Sequence, residues 1–179
     1  MTTDKTDIAM AEMLQQFMIR HDATISTAES CTSGRIAATV TCIDGASQYY
    51  QGGIIAYQDE IKVQELGVSR VSILRHDVVS TSVARQMAVG CLKRFNTDYA
   101  IATTGYTGAG NDRVPSGTVC IGFACKVLSA RQEGIQAGHD TVSSTAIKIL
   151  LPQGTREEKT AEAARTAILR FLEWASGGV

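Results

Sequence analysis

The chain is short of most features that mark a specialised class. No stretch approaches the roughly 18 consecutive apolar residues of a membrane-spanning helix, so a membrane partner is not expected. The opening MTTDKTDIAMAEM holds no apolar core before a cleavage site, which predicts no signal peptide. Neither sign of charge prevails: 17 Lys and Arg stand against 18 Asp and Glu, for a net charge of -1. That balance gives no general attraction to nucleic acid or acidic lipid. The 5 cysteines are odd in number, irregularly spaced and without a Cys-x-x-Cys pair, which argues against a disulfide framework and for a reducing compartment, the cytoplasm. The 3 histidines (His21, His76, His139) lie far apart, and none has a second ligand-type residue at zinc spacing, so no metal is expected. With only 2 prolines there is no linker-like tract, and neither an internal repeat nor a low-complexity segment is visible.

What is there suits one folded unit. A length of 179 residues with 44% hydrophobic content predicts a single domain over 1–179. Ile8, Ala11, Met13, Leu14, Phe17 and Met18 predict an inward helix face over 5–20. Residues 24–28 predict a strand ending at Glu29-Ser30. Ile36, Ala37, Val40 and Ile43 predict a helix closed by Asp44-Gly45. A strand over 53–57 and a short helix over 58–66 stopping at Gly67 follow. Ser80 reads as the N-cap of a helix through Phe95, before a buried strand at 99–103. Strands at 117–126 and 142–151 predict a hairpin around a polar loop near 129–140. The last helix begins at a Thr155-x-x-Glu158 capping box and is expected to bury Ala161, Ala164, Ile168, Phe171 and Leu172. This order predicts a three-layer α/β/α sandwich on a mixed, mostly parallel sheet.

In such folds ligands sit at the carboxyl ends of strands, which points to three turns. In Glu29-Ser30-Cys31-Thr32-Ser33-Gly34, a strand meets a helix, and the amides of Cys31 to Gly34 are candidate donors to a phosphate or oxyanion. Ser30 reads either as a nucleophile or, like Thr32, as a helix cap. Cys31 reads as a reactive thiol or, better, as a small buried hydrophobe. Tyr57 to Lys62 offers a phenol and an amine. A desolvated Lys62 could serve as base for a hydroxyl, whereas the plainer reading makes Glu60 and Lys62 solvated helix charges. Thr103-Thr104-Gly105-Tyr106-Thr107-Gly108-Ala109-Gly110 places a hydroxyl at a strand tip and lets the backbone approach a ligand, or else is a flexible connection. Its glycine order and the following Pro115 and strand exclude the dinucleotide fingerprint, and no Gly-Lys-Ser/Thr follows to make a Walker loop. Cys120 and Cys125 fall on opposite faces of one strand and cannot chelate together.

Together the three segments resemble the CinA C-terminal-domain family, the nicotinamide-nucleotide amidases. The resemblance is carried by Thr27-Ala-Glu-Ser-Cys-Thr-Ser-Gly34, by Gly52-Gly-Ile-Ile-Ala-Tyr57 with Glu60 and Lys62, and by Leu66-Gly-Val68. Val79-Ser80 and Thr104-Gly105 through Pro115-x-Gly-Thr-Val119 complete it, and it covers about residue 8 to the end. It implies hydrolysis of the carboxamide of nicotinamide mononucleotide to nicotinate mononucleotide and ammonia, a step in pyridine nucleotide salvage, without a cofactor. It also implies a homo-oligomer and the stand-alone form of the family. Carried over by position, Ser30, Thr104, Lys62 and Tyr57 are the expected catalytic residues. Thr32, Gly34, Gly105, Gly108, Gly110 and Arg156 are the expected substrate-binding ones.

The departures fall mainly on the loops. Ser33 stands for a usual second glycine and Asp59 for a common asparagine. Tyr106 and Thr107 replace smaller or aliphatic residues. Gly108-Ala109-Gly110-Asn111 and Val114 replace a Gly-Pro-Gly-Gly stretch and a lysine, leaving Arg113 as the substitute cation. Thr155 and Thr160 replace an acid and a basic residue. Loss of one phosphate-facing cation would cost about 1.5–3 kcal/mol of binding. The competing reading is therefore a catalytically inactive paralogue that binds a nucleotide or a protein partner.

Overall fold

The computed structural model describes residues 4–127 and 141–177; the polar loop expected near 129–140, with His139, lies outside the described residues. Asp4 caps helix α1 (Lys5–Arg20), which buries Met10, Ala11, Leu14, Phe17 and Met18. Ile8 and Met13 are exposed instead, since both sit roughly 100° or more around the helix from the centre of that stripe. Strand β1 (Ile25–Glu29) is buried along its whole length. Helix α2 (Arg35–Val40) is shorter than the sequence pattern suggests. The Thr41 hydroxyl donates back to Ala37 O at 2.8 Å, and a short 3-10 turn, Ala46–Gln48, follows the left-handed Gly45.

Strand β2 spans Tyr50–Ile55 rather than 53–57, so Tyr57 lies beyond the strand. Its glycine pair hides the strand signal but serves packing. A Cβ on Gly53 would come within 2.3 Å of Thr27 Oγ1. Helix α3 (Asp59–Leu66) stops at left-handed Gly67, as expected. Helix α4 (Arg70–His76) gave no signal in sequence because it buries no residue fully, and Leu74 is 78% exposed. Ser80 accepts from Val83 N to start helix α5 (Thr81–Phe95), whose inner face is the expected Val83, Ala84, Met87, Ala88, Cys91 and Leu92.

Strands β3 (Tyr99–Gly105), β4 (Thr118–Val127) and β5 (Thr141–Leu150) complete one sheet in the order β2-β1-β3-β4-β5. The β2–β1 and β1–β3 ladders are parallel, and the β3–β4 and β4–β5 ladders antiparallel, so β4 alone runs against the rest. Helix α6 (Arg156–Ala175) opens with the reciprocal Thr155–Glu158 capping box and buries Ala163, Ala164, Ala167, Ile168 and Phe171; Ala161 and Leu172 are half-buried.

The two faces of the sheet pack differently. On one, α1, α2 and α6 cover Ile25, Ile101, Ile121 and Phe123, with Tyr99, Phe171 and Trp174 joined edge-on or stacked. On the other, α3 and α5 lie close over Ala28, Ala100, Ala102 and Ala124. Two glycines permit that closeness. A Cβ on Gly122 would sit 2.1 Å from Ala84 O, and one on Gly90 would sit 1.9 Å from Leu66 O. This α/β/α layering brings the carboxyl ends of β1, β2 and β3 side by side.

Candidate active site

The turn after β1 is organised by Glu29 rather than by open amides. Its carboxylate is buried and accepts from Gly34 N at 2.9 Å, Ile36 N at 3.1 Å and Ala37 N at 2.8 Å. Ser33 N donates to Ser30 O and Arg35 N to Thr32 O. The sequence pattern suggests a helix near Cys31 with amides free for an anion. Instead the helix begins at Arg35 and its N-terminus is filled internally, leaving an anion at most the amides of Cys31 and Thr32. Ser33 adopts φ 52°, the left-handed conformation that a glycine takes without strain, at the position where the resemblance leads one to expect a glycine. Gly34 is left-handed too, at φ 89°. The Thr32 hydroxyl is tied to Thr103 Oγ1 at 2.7 Å within the core. Cys31 packs in the core cluster, and burial pushes its thiol up to about 12, which favours the small buried hydrophobe over the reactive thiol.

In the second segment Lys62 is a buried amine, not a solvated helix charge. Its Nζ donates to Tyr57 O at 3.1 Å and approaches Asp59 Oδ1 at 3.4 Å. Burial lowers its pKa from the ordinary lysine range, while the Asp59 carboxylate opposes that shift. Tyr57 is half exposed, and its hydroxyl accepts from Arg156 Nη2 at 2.6 Å. Glu60 faces solvent, paired with Arg70.

The third segment is a braced loop rather than a loose connection. Gly117 N donates to Tyr106 O at 2.7 Å, and Asn111 Oδ1 accepts from Arg113 N and Val114 N. Lys159 Nζ donates to Ser116 Oγ at 3.0 Å, and Ser116 donates to Gly108 O. Gly110 packs on the 114–116 turn, where a Cβ would lie 2.3 Å from Val114 O. Gly108 lies under Arg156, with 3.2 Å between its Cβ position and Nη1. The Thr104 hydroxyl donates to Val78 O at 2.9 Å.

These pieces enclose one cleft of about 330 Å³. Ser30, Tyr57, Lys62, Thr104, Gly105, Gly108 and Arg156 all line it; Thr32, Gly34 and Gly110 do not. Arg113, the expected substitute cation, lies outside this cleft in a neighbouring one. Sequence reasoning named Val79 only as part of the resemblance and gave no site role to Val78 and Val79, which line the cleft, or to Asp77 ahead of them. Asp77 takes φ 72° and ψ 153°, a conformation costly for a residue with a Cβ. Its carboxylate accepts from Val79 N at 2.9 Å, Asn111 Nδ2 at 3.1 Å and the Tyr106 hydroxyl at 3.5 Å. An Asp just ahead of a serine helix cap was the available signal. Among the described residues no group of three or more His, Cys, Asp or Glu is placed to hold a metal. The cleft offers a free-standing hydroxyl, a desolvated amine, a phenol and a guanidinium, a set suited to acyl transfer.

Comparison with known proteins agrees with this architecture. Residues 7–153 match the family model for the CinA C-terminal domain. A CinA-like protein of Chlorobium chlorochromatii is 36% identical over 92% of this chain, which spans 36% of that relative. The nicotinamide-nucleotide amidohydrolase PncC of Escherichia coli is 38% identical over 74% of this chain and 79% of its own length. The chain thus spans about a third of the length of the CinA-like relatives it matches. Among solved structures, a competence-damaged protein (CinA) superfamily protein from Escherichia coli superposes with a TM-score of 0.81 at 28% identity, over 97% of this chain and 94% of that one. A competence/damage-inducible protein from Agrobacterium tumefaciens gives a TM-score of 0.82 at 26% identity, covering 98% and 99% of the two chains.

Proposed function

The chain belongs to the CinA C-terminal-domain family, and from that premise we propose that it is an amidase hydrolysing the carboxamide of nicotinamide mononucleotide to nicotinate mononucleotide and ammonia in the cytoplasm. The observation that carries this reading is that Ser30 and the buried amine of Lys62 line the same cleft. Ser30 suits the nucleophile better than Thr104, whose hydroxyl proton is engaged by Val78 O. In its neutral form Lys62 takes the Ser30 proton as Oγ adds to the amide carbon, and returns it to the departing nitrogen as ammonia forms. Water then hydrolyses the resulting ester with Lys62 again as base. The Cys31 amide supports the oxyanion, and Arg156, beside Gly108, supports the substrate's phosphate. The relative PncC, named for this activity, supports the choice of substrate.

One observation favours a silent nucleotide-binding paralogue: Asp59, 3.4 Å from Lys62 Nζ, stabilises the protonated amine. The deciding experiment measures ammonia and nicotinate mononucleotide from nicotinamide mononucleotide, with Ser30→Ala, Thr104→Ala and Lys62→Ala in parallel. The amidase reading requires turnover that vanishes in Ser30→Ala and Lys62→Ala. Folded wild-type protein that binds the nucleotide without releasing ammonia would leave the paralogue.

A further inference from the structure

A second hollow, of about 440 Å³, lies on the other side of the Asp77–Val79 strap. Arg75 and His76 reach it from the end of α4, Arg113 from the glycine loop and Lys148 from β5. These segments are distant in sequence and are gathered by packing. Val114, beside Arg113, joins Ala84 and Cys120 in a small apolar cluster, and Lys148 stands opposite Cys120 in the β4–β5 ladder. Among the described residues Arg75, Arg113 and Lys148 pair with no carboxylate. The acid in the wall, Asp77, accepts from Val79 N, Asn111 and Tyr106, all neutral groups, so it offsets one of the three cations. The first turn of α5 borders the hollow as well and adds its positive end to the field. Three lasting cations and one carboxylate around one concavity leave a net positive charge that favours a bound anion.

We propose that this hollow binds a phosphate-bearing small molecule at a site separate from the amidase cleft. Two guanidinium groups and an ammonium lining one hollow supply the charge and the donors that a phosphate dianion takes. A concavity, rather than a flat basic ridge, suits a small ligand rather than a nucleic-acid backbone. Its occupancy reaches the cleft through the strap. Val79 lines both hollows, Val78 O holds the Thr104 hydroxyl, and Asp77 holds Tyr106. That coupling to turnover rests on the amidase reading; the binding itself does not.

The test is calorimetric titration of the full chain at low ionic strength with inorganic phosphate, ribose 5-phosphate and, as the phosphate-free control, ribose. The proposal expects saturable binding of a phosphate probe that weakens at least about ten-fold in Arg113→Gln/Lys148→Gln. The event lost in that double variant should persist within about two-fold in Arg156→Gln, which removes only phosphate held in the amidase cleft, and ribose should give none. Tighter binding of ribose 5-phosphate than of phosphate identifies a phosphate ester as the occupant; the reverse identifies the free ion. Binding that survives the double variant but is lost in Arg156→Gln overturns the proposal, because the phosphate then sits in the amidase cleft. Heat no larger than that of chloride at equal ionic strength overturns it too. If the phosphate result is as expected but nicotinamide mononucleotide is not hydrolysed, the amidase reading falls and the second site stands.

Discussion

Lys62 is held between two influences that a pH experiment can separate. Burial disfavours its ammonium form and Asp59 favours it, with burial the larger. If the neutral amine is the base, kcat/KM rises with pH through the Lys62 pKa. Replacing Asp59 with Asn removes the stabilising charge, lowers that pKa further, and moves the acid limb of the profile to lower pH. An unmoved limb in Asp59→Asn would show that Lys62 does not set it. The same amine has a consequence for stability. A folded pKa below the unfolded value of about 10.4 means that the unfolded chain holds the proton more tightly between the two values. The Lys62 contribution to stability is therefore complete above the unfolded pKa and is lost as pH falls through the folded one. Lys62→Met should abolish turnover yet raise stability near neutral pH, by about 1 kcal/mol, because a hydrophobic side chain of similar volume replaces a buried cation. Thermal melts at pH 7 and 10 check both parts, since the gain should shrink at the higher pH.

At the scale of elements, α2 depends on a residue outside itself. Glu29 ends β1 and satisfies three amides of the turn and helix that follow, so one carboxylate joins strand to helix beside Ser30. Glu29→Gln keeps the shape but loses the charge and one acceptor oxygen. It should cost about 2 kcal/mol, read as a lower urea midpoint with unchanged slope. The contact of α5 with the sheet gives a sharper case. A methyl on Gly122 would meet the backbone of Ala84 at 2.1 Å, where no flexible side chain can yield. Gly122→Ala should cost about 3 kcal/mol or more, whereas Gly67→Ala, with open space but φ 65°, should cost only about 1 kcal/mol of backbone strain. Equal urea midpoints for the two would contradict this account of the α5 packing.

For the whole molecule, legibility in the sequence followed periodicity. Helices α1, α5 and α6 were readable because each buries one stripe, and β3 and β4 because each is an apolar run closed by turn residues. The start of β2 was hidden by glycines chosen for close packing, and α4 by having no buried stripe to show. The three turns that build the cleft could be named in advance, since ligand sites gather at strand ends. Their inner bonding could not: Glu29 filling the α2 terminus, Val78 O engaging Thr104 and Asp77 tying the glycine loop all arise from contacts distant in sequence or from an unusual backbone angle. The cysteines offer a measurement of how the molecule closes as a whole. Cys31, Cys91 and Cys120 lie in the core, and burial pushes their thiols up to about 12, 12 and 11. Cys42 and Cys125 are half-buried, with smaller upward shifts from the same cause. At pH 8 in iodoacetamide, mass spectrometry should find Cys42 and Cys125 alkylated first, slowly because little thiolate is present. The other three should follow only at the rate of global unfolding and accelerate in parallel as urea is added. Early labelling of Cys31 alone would instead show that the Ser30 turn opens locally, and the cleft would then not be preorganised in the resting protein.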